Sequence, residues 1–335
     1  MLMRKCGKSD IRVSIIGVGC WSYGGGADDY WGAQDQQAVN DVVSAALDMG
    51  INHFDTAEQY NEGRSEEALG AALKGRRDQA VIASKIWLQT PEQLPTLRER
   101  AEASLRRLGT DYLDFYYVHW PVKDAHLHDV LAVFDELKSE GKVRSVCLSN
   151  HGVGQIAHAV RSGVQIDLNQ LCYNLLSRAI EVEIMPLCAR HNIGVVAYMP
   201  LMQGLLAGKY ANADEVPPNR RRTRHFRGDI PPARHGGPGF EREMFAVIDR
   251  LREICAEHEI SMADLSMAWV LQHSGIASTL IGVRDVEQLK QAVATTEISL
   301  DQELKIRLDE LTRPLLKAMG TNPDYWESLE TSRSH

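Results

Sequence analysis

The sequence predicts an α/β fold of the (β/α)8 TIM-barrel type. Two observations carry the prediction: eight short, β-branched apolar runs, and amphipathic helical segments between them. The runs are "IIGVG" (15–19), "INHFD" (51–55), "AVIAS" (80–84), "YLDFYYV" (112–118), "RSVCLS" (144–149), "IDLNQ" (166–170), "GVVAY" (194–198) and "STLIG" (278–282). Segments such as "QQAVNDVVSAALDMG", "PTLRERAEASLRRLG", "VLAVFDELKSEG" and "EVEIMPLCARHN" carry apolar residues three and four apart. Gly50, Gly109 and Gly141 fall where helix C-termini are expected. Strands separated by helices pair in parallel through right-handed crossovers, and eight is the number that closes a barrel. The rival is a doubly wound sheet, whose dinucleotide site needs G-x-G-x-x-G after the first strand. Here "GVGCWS" puts Ser22 at the third glycine.

The remaining elements follow in chain order. Residues 1–14 ("MLMRKCGKSDIRVS") read as a β-hairpin that turns near Gly7 to Asp10 and plugs the N-terminal mouth of the barrel. Residues 202–240, after the seventh strand, form a long connection rich in Pro, Gly and Arg, of a length typical of lids or disordered segments. Helical segments at 241–258 and 261–273 follow, then a last helix near 301–313. Residues 314–335 read as a C-terminal tail over the active-site face, carrying the aromatic pair Tyr325 and Trp326. All of 1–335 is expected to form one domain.

Composition narrows the function classes. With 44% hydrophobic and 24% charged residues in a chain of 335, a large core can form without disulfides. The start, "MLMRKCGKSD", lacks an apolar signal region and no run approaches a membrane span, so a cytoplasmic protein is expected. Cys6, Cys20, Cys147, Cys172, Cys188 and Cys255 show no C-x-x-C pairing and lie mostly in apolar stretches, as buried thiols would. A net charge of −8 disfavours nucleic acid and anionic membrane as partners, leaving a small molecule; a homo-oligomer stays open.

Active sites of such barrels lie at the C-terminal ends of the strands. The second strand ends in Asp55 with Tyr60 beyond it, the third runs into Lys85 and the fourth into His119. Each residue alone has an ordinary structural reading: an Asx turn, an aromatic anchor, a rim charge, a packed histidine. Strand order, however, brings all four to one pocket. An ammonium about 4 Å from a phenol contributes roughly 4 kcal/mol at an effective dielectric near 20, which is about three pKa units. Lys85 is therefore expected to bring Tyr60 towards neutrality, with Asp55 cancelling part of the effect.

The set Asp55, Tyr60, Lys85 and His119, in "HFDTAEQYNEGRSEEALG", "ASKIW" and "YYVHWP", resembles the catalytic tetrad of the aldo-keto reductases. The resemblance runs from "RKCGKSDIRVSIIGVG" to "LIGVRDVEQL" in the family's order. It implies NADP(H) extended across the C-terminal face, NAD(H) being the alternative, with Tyr60 giving a proton to the substrate carbonyl. Ser149, Asn150 and Gln170 match the side chains that bond the nicotinamide carboxamide, and Tyr198 matches the ring stacked on it. "PLMQGLLAGKY" resembles the pyrophosphate loop, with Leu201, Gly204, Leu206 and Lys209 as candidates. Gly282, Arg284 and Gln288 correspond to the adenosine end, where Gln291 and Ala292 replace the family's usual acidic residue and Asn. Ser65 and the two glutamates after it read as the start of the next helix.

Substrate-facing candidates are Trp21, Tyr23, Trp87, Trp120 and Trp326, which suit a ring-shaped or apolar face on a sugar, aromatic aldehyde or ketosteroid-like molecule. The arginines of "VPPNRRRTRHFRGDIPPARHGGPGF" admit three readings: a solvated mobile loop, a lid meeting phosphate or an anionic substrate, and a nucleic-acid contact disfavoured by the acidic charge. His126 and His128 form an H-x-H pair flanking a helix start without a third ligand, so no metal is expected. Two other functions stay open beside the reductase. One is a Schiff-base lyase using Lys85, which would need a neutral amine; the other is an NADP(H)-sensing regulatory subunit with little turnover.

Overall fold

The computed structural model describes residues 1–335. Strands β1 (Met3–Lys5) and β2 (Arg12–Ser14) form the antiparallel hairpin. Strands β3 (Ile16–Gly19), β4 (His53–Asp55), β5 (Val81–Ile86), β6 (Leu113–Val118), β7 (Val143–Ser149), β8 (Ile166–Cys172), β9 (Gly194–Tyr198) and β10 (Ile276–Ile281) close a parallel barrel in sequence order, β10 pairing with β3. Around it run α1 (Gln36–Asp48), α2 (Arg64–Ala72), α3 (Leu97–Leu108), α4 (Asp124–Ser139), α5 (Val153–Arg161), α6 (Ile184–Arg190), α7 (Glu241–Glu257), α8 (Met262–Leu271), α9 (Val286–Ala294) and α10 (Gln302–Met319).

Side chains alternate along a strand, so one parity of each strand fills the barrel and the other meets the helices. The interior cluster contains Cys6, Ile11 and Val13 from the hairpin with Ala83, Phe115, Tyr117, Cys147, Leu168, Val196 and Leu280. The hairpin thus plugs the N-terminal mouth, as expected. The outer core joins the opposite parity, including Ile82, Tyr116, Val146 and Val195, to α-helical Leu131, Phe134, Leu105 and Ile156. Two residues above His53, Ala83, Tyr117, Cys147, Leu168 and Val196 come Asp55, Lys85, His119, Ser149, Gln170 and Tyr198. The candidate site is therefore the next inward layer above the plug.

Two boundaries differ from the sequence reading. Helix α10 runs through Pro314 to Met319, since Pro314 lies on the exposed face, where the carbonyl it leaves unpaired can meet water. Ser65 is not a cap: Gly63 precedes α2, and the Ser65 hydroxyl instead donates to the Cys20 carbonyl at 2.7 Å. No helix is long and apolar enough to cross a membrane.

The tightest constraint on the plug is Gly7, at φ +56°, where an added Cβ would lie 2.1 Å from the Asp167 carbonyl oxygen. Gly7→Ala is expected to cost at least about 2 kcal/mol from the left-handed backbone and the clash together. Urea unfolding checks this; an unchanged midpoint would show the hairpin is not seated as described.

Candidate active site

Lys85 is fully buried on β5 and its ammonium meets three acceptors: Asp55 Oδ2 at 2.6 Å, the Thr56 carbonyl at 2.8 Å and Tyr60 Oη at 3.1 Å. The other oxygen of Asp55 accepts from Gln170 Nε2 at 2.7 Å. Tyr60 opens the turn after β4, and its segment is pinned by the Thr56 amide on the Ala83 carbonyl (2.9 Å) and the Glu58 amide on the Lys85 carbonyl (3.3 Å). Glu58 in turn accepts from the Trp87 amide and pairs with Arg100. The ring of His119 sits edge-on to that of Tyr60, with centroids 5.7 Å apart. Four side chains from three consecutive strand ends thus share one pocket.

Burial acts on all four. It would lower Lys85, but Asp55 and Tyr60 outweigh it and hold the ammonium above its ordinary value. Burial also lifts the Asp55 carboxyl, against Lys85 and Gln170, whose two donors require an acceptor oxygen on each side. His119 is pushed well below the usual imidazole range by burial, then by Lys85 and Arg333, and is neutral. Its Nδ1 is buried without a partner. The expectation for Tyr60 is corrected: desolvation outweighs Lys85, and the phenol lies above, not below, its ordinary value.

The carboxamide candidates are wired to this centre. Tyr198 Oη donates to Asn150 Oδ1 at 2.6 Å, and Asn150 Nδ2 donates to the His119 carbonyl (2.9 Å) and to Ser149 Oγ (3.1 Å). Ser149 Oγ donates to the Gln170 carbonyl at 3.2 Å. Leu201 and Gly204 lie in the turn after β9, with Gly204 at φ +101° and Lys209 exposed beside it. Leu206 has no exposed surface and its amide is spent on the Leu201 carbonyl, so its side chain cannot meet a ligand here. Gly282 and Gln288 are exposed; the Arg284 guanidinium is bound to the carbonyls of Trp31 and Ala33.

Of the aromatic candidates, Trp21 stacks on Tyr60 (5.7 Å) and on Tyr30 (5.1 Å). Trp120 lies 6.4 Å from Trp87 and 5.6 Å from Trp326, and Trp326 reaches Tyr198 at 6.3 Å. The tail therefore covers this face as expected, reinforced by Arg333, whose guanidinium lies 3.4 Å over the Trp120 ring. Tyr23 is corrected: it is wholly buried in the core and faces no ligand.

The arginine-rich connection is packed at 223–226 and exposed over much of 227–238. Thr223, Arg224, His225 and Phe226 are buried, Arg224 donating to the carbonyls of Met319, Asn322 and Asp324. Arg220 and Arg222 cover the rings of Trp31 and Tyr30. Sequence reading missed Tyr30 and Trp31, signalled only by "DYWG", and Arg333, which nothing local marks. His126 and His128 lie within α4, and no cluster of metal-ligating side chains occurs.

The family profile of the aldo/keto reductases matches residues 15–313. A protein of Escherichia coli K12 named NADH-specific methylglyoxal reductase is 35% identical over 92% of this chain and 98% of its own length. Aldo-keto reductase YhdN of Bacillus subtilis is 32% identical over 88% of each. Among solved structures, an aldo/keto reductase of Klebsiella pneumoniae in complex with NADP and acetate superposes with a TM-score of 0.72 at 28% identity, covering 92% of this chain and 95% of that one. The chain belongs to the aldo-keto reductase family, and is thus an oxidoreductase of carbonyl compounds.

Removing one member of a buried ion pair strands the other charge. Asp55→Ala is expected to cost about 3–5 kcal/mol in urea unfolding. A loss below about 1 kcal/mol would show that Lys85 is held by its other two acceptors alone.

Proposed function

We propose that the protein reduces an aldehyde or ketone to the alcohol with NADP(H), using Tyr60 as the general acid. The observation that carries this reading is the Lys85 ammonium bonded at once to Asp55 and Tyr60 in a water-poor pocket. When bound, the cofactor supplies the hydride to the carbonyl carbon. Tyr60 Oη gives its proton to the carbonyl oxygen, and Lys85 stabilises the phenolate that this leaves. Neutral His119 orients the carbonyl without competing as an acid. In alcohol oxidation the same groups act in reverse, with Tyr60 as base.

Ser149, Asn150 and Gln170 would hold the carboxamide, and Tyr198 would stack on the ring. Their present bonds are to one another, to the His119 carbonyl and to Asp55, so a carboxamide would exchange with bonds already satisfied. The phosphates fit the other end. Arg220, Arg221 and Arg222 each have a buried Nε with no partner, beside the turn that carries Gly204. Gly204, Leu201, Lys209, Gly282 and Gln288 complete that path. Arg284, occupied by two carbonyls, favours NAD(H) as the second reading, in line with the name of the E. coli relative. Trp21, Trp87, Trp120 and Trp326 suit a substrate with an apolar or ring-shaped face.

The Schiff-base alternative needs a neutral, accessible amine, whereas Lys85 is buried and held protonated. A cofactor sensor would bind cofactor tightly and turn over no carbonyl compound.

Steady-state oxidation of NADPH, and separately NADH, with methylglyoxal and with an activated aromatic aldehyde tests the proposal. Tyr60→Phe is expected to lower kcat about 100-fold or more with cofactor affinity preserved. Full activity in that variant would remove Tyr60 from its role. With Tyr60 above its ordinary value and His119 neutral, the acid is fully protonated and the imidazole beside it does not change charge near neutrality. Reduction should therefore be flat between about pH 6 and 8, falling only where the phenol ionises. A limb near pH 6.5, the ordinary value for a histidine, would point to His119 instead.

A further inference from the structure

The backbone after Tyr60 is strained in an uncommon way. Asn61, Glu62 and Gly63 take φ values of +50°, +59° and +89° in succession, so two residues with side chains enter the left-handed region together. Left-handed backbone is costly for residues with side chains, and it persists only where surrounding contacts fix it. At Asn61 those contacts are visible. Its Nδ2 donates to the Tyr23 carbonyl at 2.7 Å and to the Trp21 carbonyl at 3.0 Å, both in the segment after β3. Its own carbonyl accepts from Arg64 Nε at 2.8 Å, and Arg64 pairs with Asp29 at 3.0 Å further along the same segment.

We propose that Asn61 is a positioning residue for the proton donor, clamping the turn that carries Tyr60 to the segment that carries Trp21. The inference rests on Tyr60 being that donor. The clamp sets two geometries at once: the 3.1 Å approach of Tyr60 Oη to Lys85 Nζ, and the 5.7 Å stack of Trp21 on the Tyr60 ring. Asparagine suits the place because it tolerates left-handed backbone and presents two N–H groups to two carbonyls. An aspartate keeps the first property and loses the second, setting a carboxylate against two carbonyl oxygens. A glycine also keeps the first and removes the donors without a clash.

Asn61→Gly and Asn61→Asp, alongside Tyr60→Phe, make the test. Both Asn61 variants are expected to lower kcat about tenfold to a hundredfold, as a displacement of about 1 Å at a reacting group does. Cofactor affinity should be unchanged. In alcohol oxidation, where Tyr60 acts as base, the pH at which the rate levels off should move up, because a phenol drawn away from Lys85 ionises later. Near-ultraviolet circular dichroism should also change as Trp21 loosens, whatever the activity. A lower melting temperature with kcat and the pH profile unmoved would make Asn61 merely structural. A loss confined to one variant would indicate added flexibility or added repulsion, not the clamp. Either result overturns the proposal. If Tyr60→Phe retains activity, the underlying assignment of the donor has failed, and that outcome is distinct from normal kcat in the Asn61 variants.

Discussion

The charge on Lys85 is the constraint around which the upper half of the barrel is organised. An ammonium with no exposed surface must be met by acceptors or lose its proton. Three acceptors surround it, all from the β4 end and the turn that follows: the Asp55 carboxylate, the Thr56 carbonyl and the Tyr60 hydroxyl. Asp55 is itself buried and takes a second bond from Gln170 across the barrel. The buried cation and its acceptors therefore fix the relative positions of β4, β5 and β8. The cost of burying the pair is offset only while both carboxylate oxygens remain bonded.

This centre can exist because the layers below it are dry and full. The alternation that points Asp55, Lys85 and Gln170 inward also points His53, Ala83 and Leu168 inward one layer down, where Cys6, Ile11 and Val13 of the hairpin close the mouth. Water cannot reach the ion pair from below. From above, access is set by Trp21, Trp120 and Trp326, which come from segments far apart in the chain. Low polarity around the site strengthens each bond to Lys85. It also raises Tyr60, so the phenol keeps its proton near neutrality.

Much of this was legible in the sequence. Eight β-branched runs mark the strands, and three of them end in or lead directly into Asp55, Lys85 and His119, at the face where such barrels carry their active sites. What escaped depends on burial and on contacts between distant segments. Tyr23 and Trp21 look alike in "CWSYGG", yet one is core and the other wall. The direction of the Tyr60 shift could not be read because a pairwise Coulomb argument contains Lys85 but not the water removed. Arg224 and Arg220 are near neighbours in a basic run, and only packing shows that one ties the connection to the tail while the other covers Trp31. Asn61 carried a local signal, an Asn-x-Gly turn, but nothing in "YNEG" says which carbonyls its amide would find.

The division between centre and wall has a consequence for how such a site can change. The centre is held by strand register, and Asp55, Lys85, Tyr60 and Gln170 are bonded in one chain. The wall is held differently: Arg284 grips the Trp31 and Ala33 carbonyls, and Tyr30 donates to Gln203 and to the Asn219 carbonyl. Arg333 clasps Asp324 with bonds of 2.8 Å while lying on Trp120. At the end of the chain, Ser334 donates to the Asn150 carbonyl, and His335 accepts from the Gly154 amide at 2.8 Å. Gly152 makes room there, since a Cβ would come within 2.5 Å of His335. These contacts fasten loops mostly to one another's backbones. Side chains at the mouth can thus vary without disturbing the bonds among Asp55, Lys85, Tyr60 and Gln170. The tail is the one wall segment that also touches the backbone of a carboxamide candidate. A change in the tail therefore acts on Asn150 as well as on the wall, whereas the Trp87 ring meets the wall at Trp120.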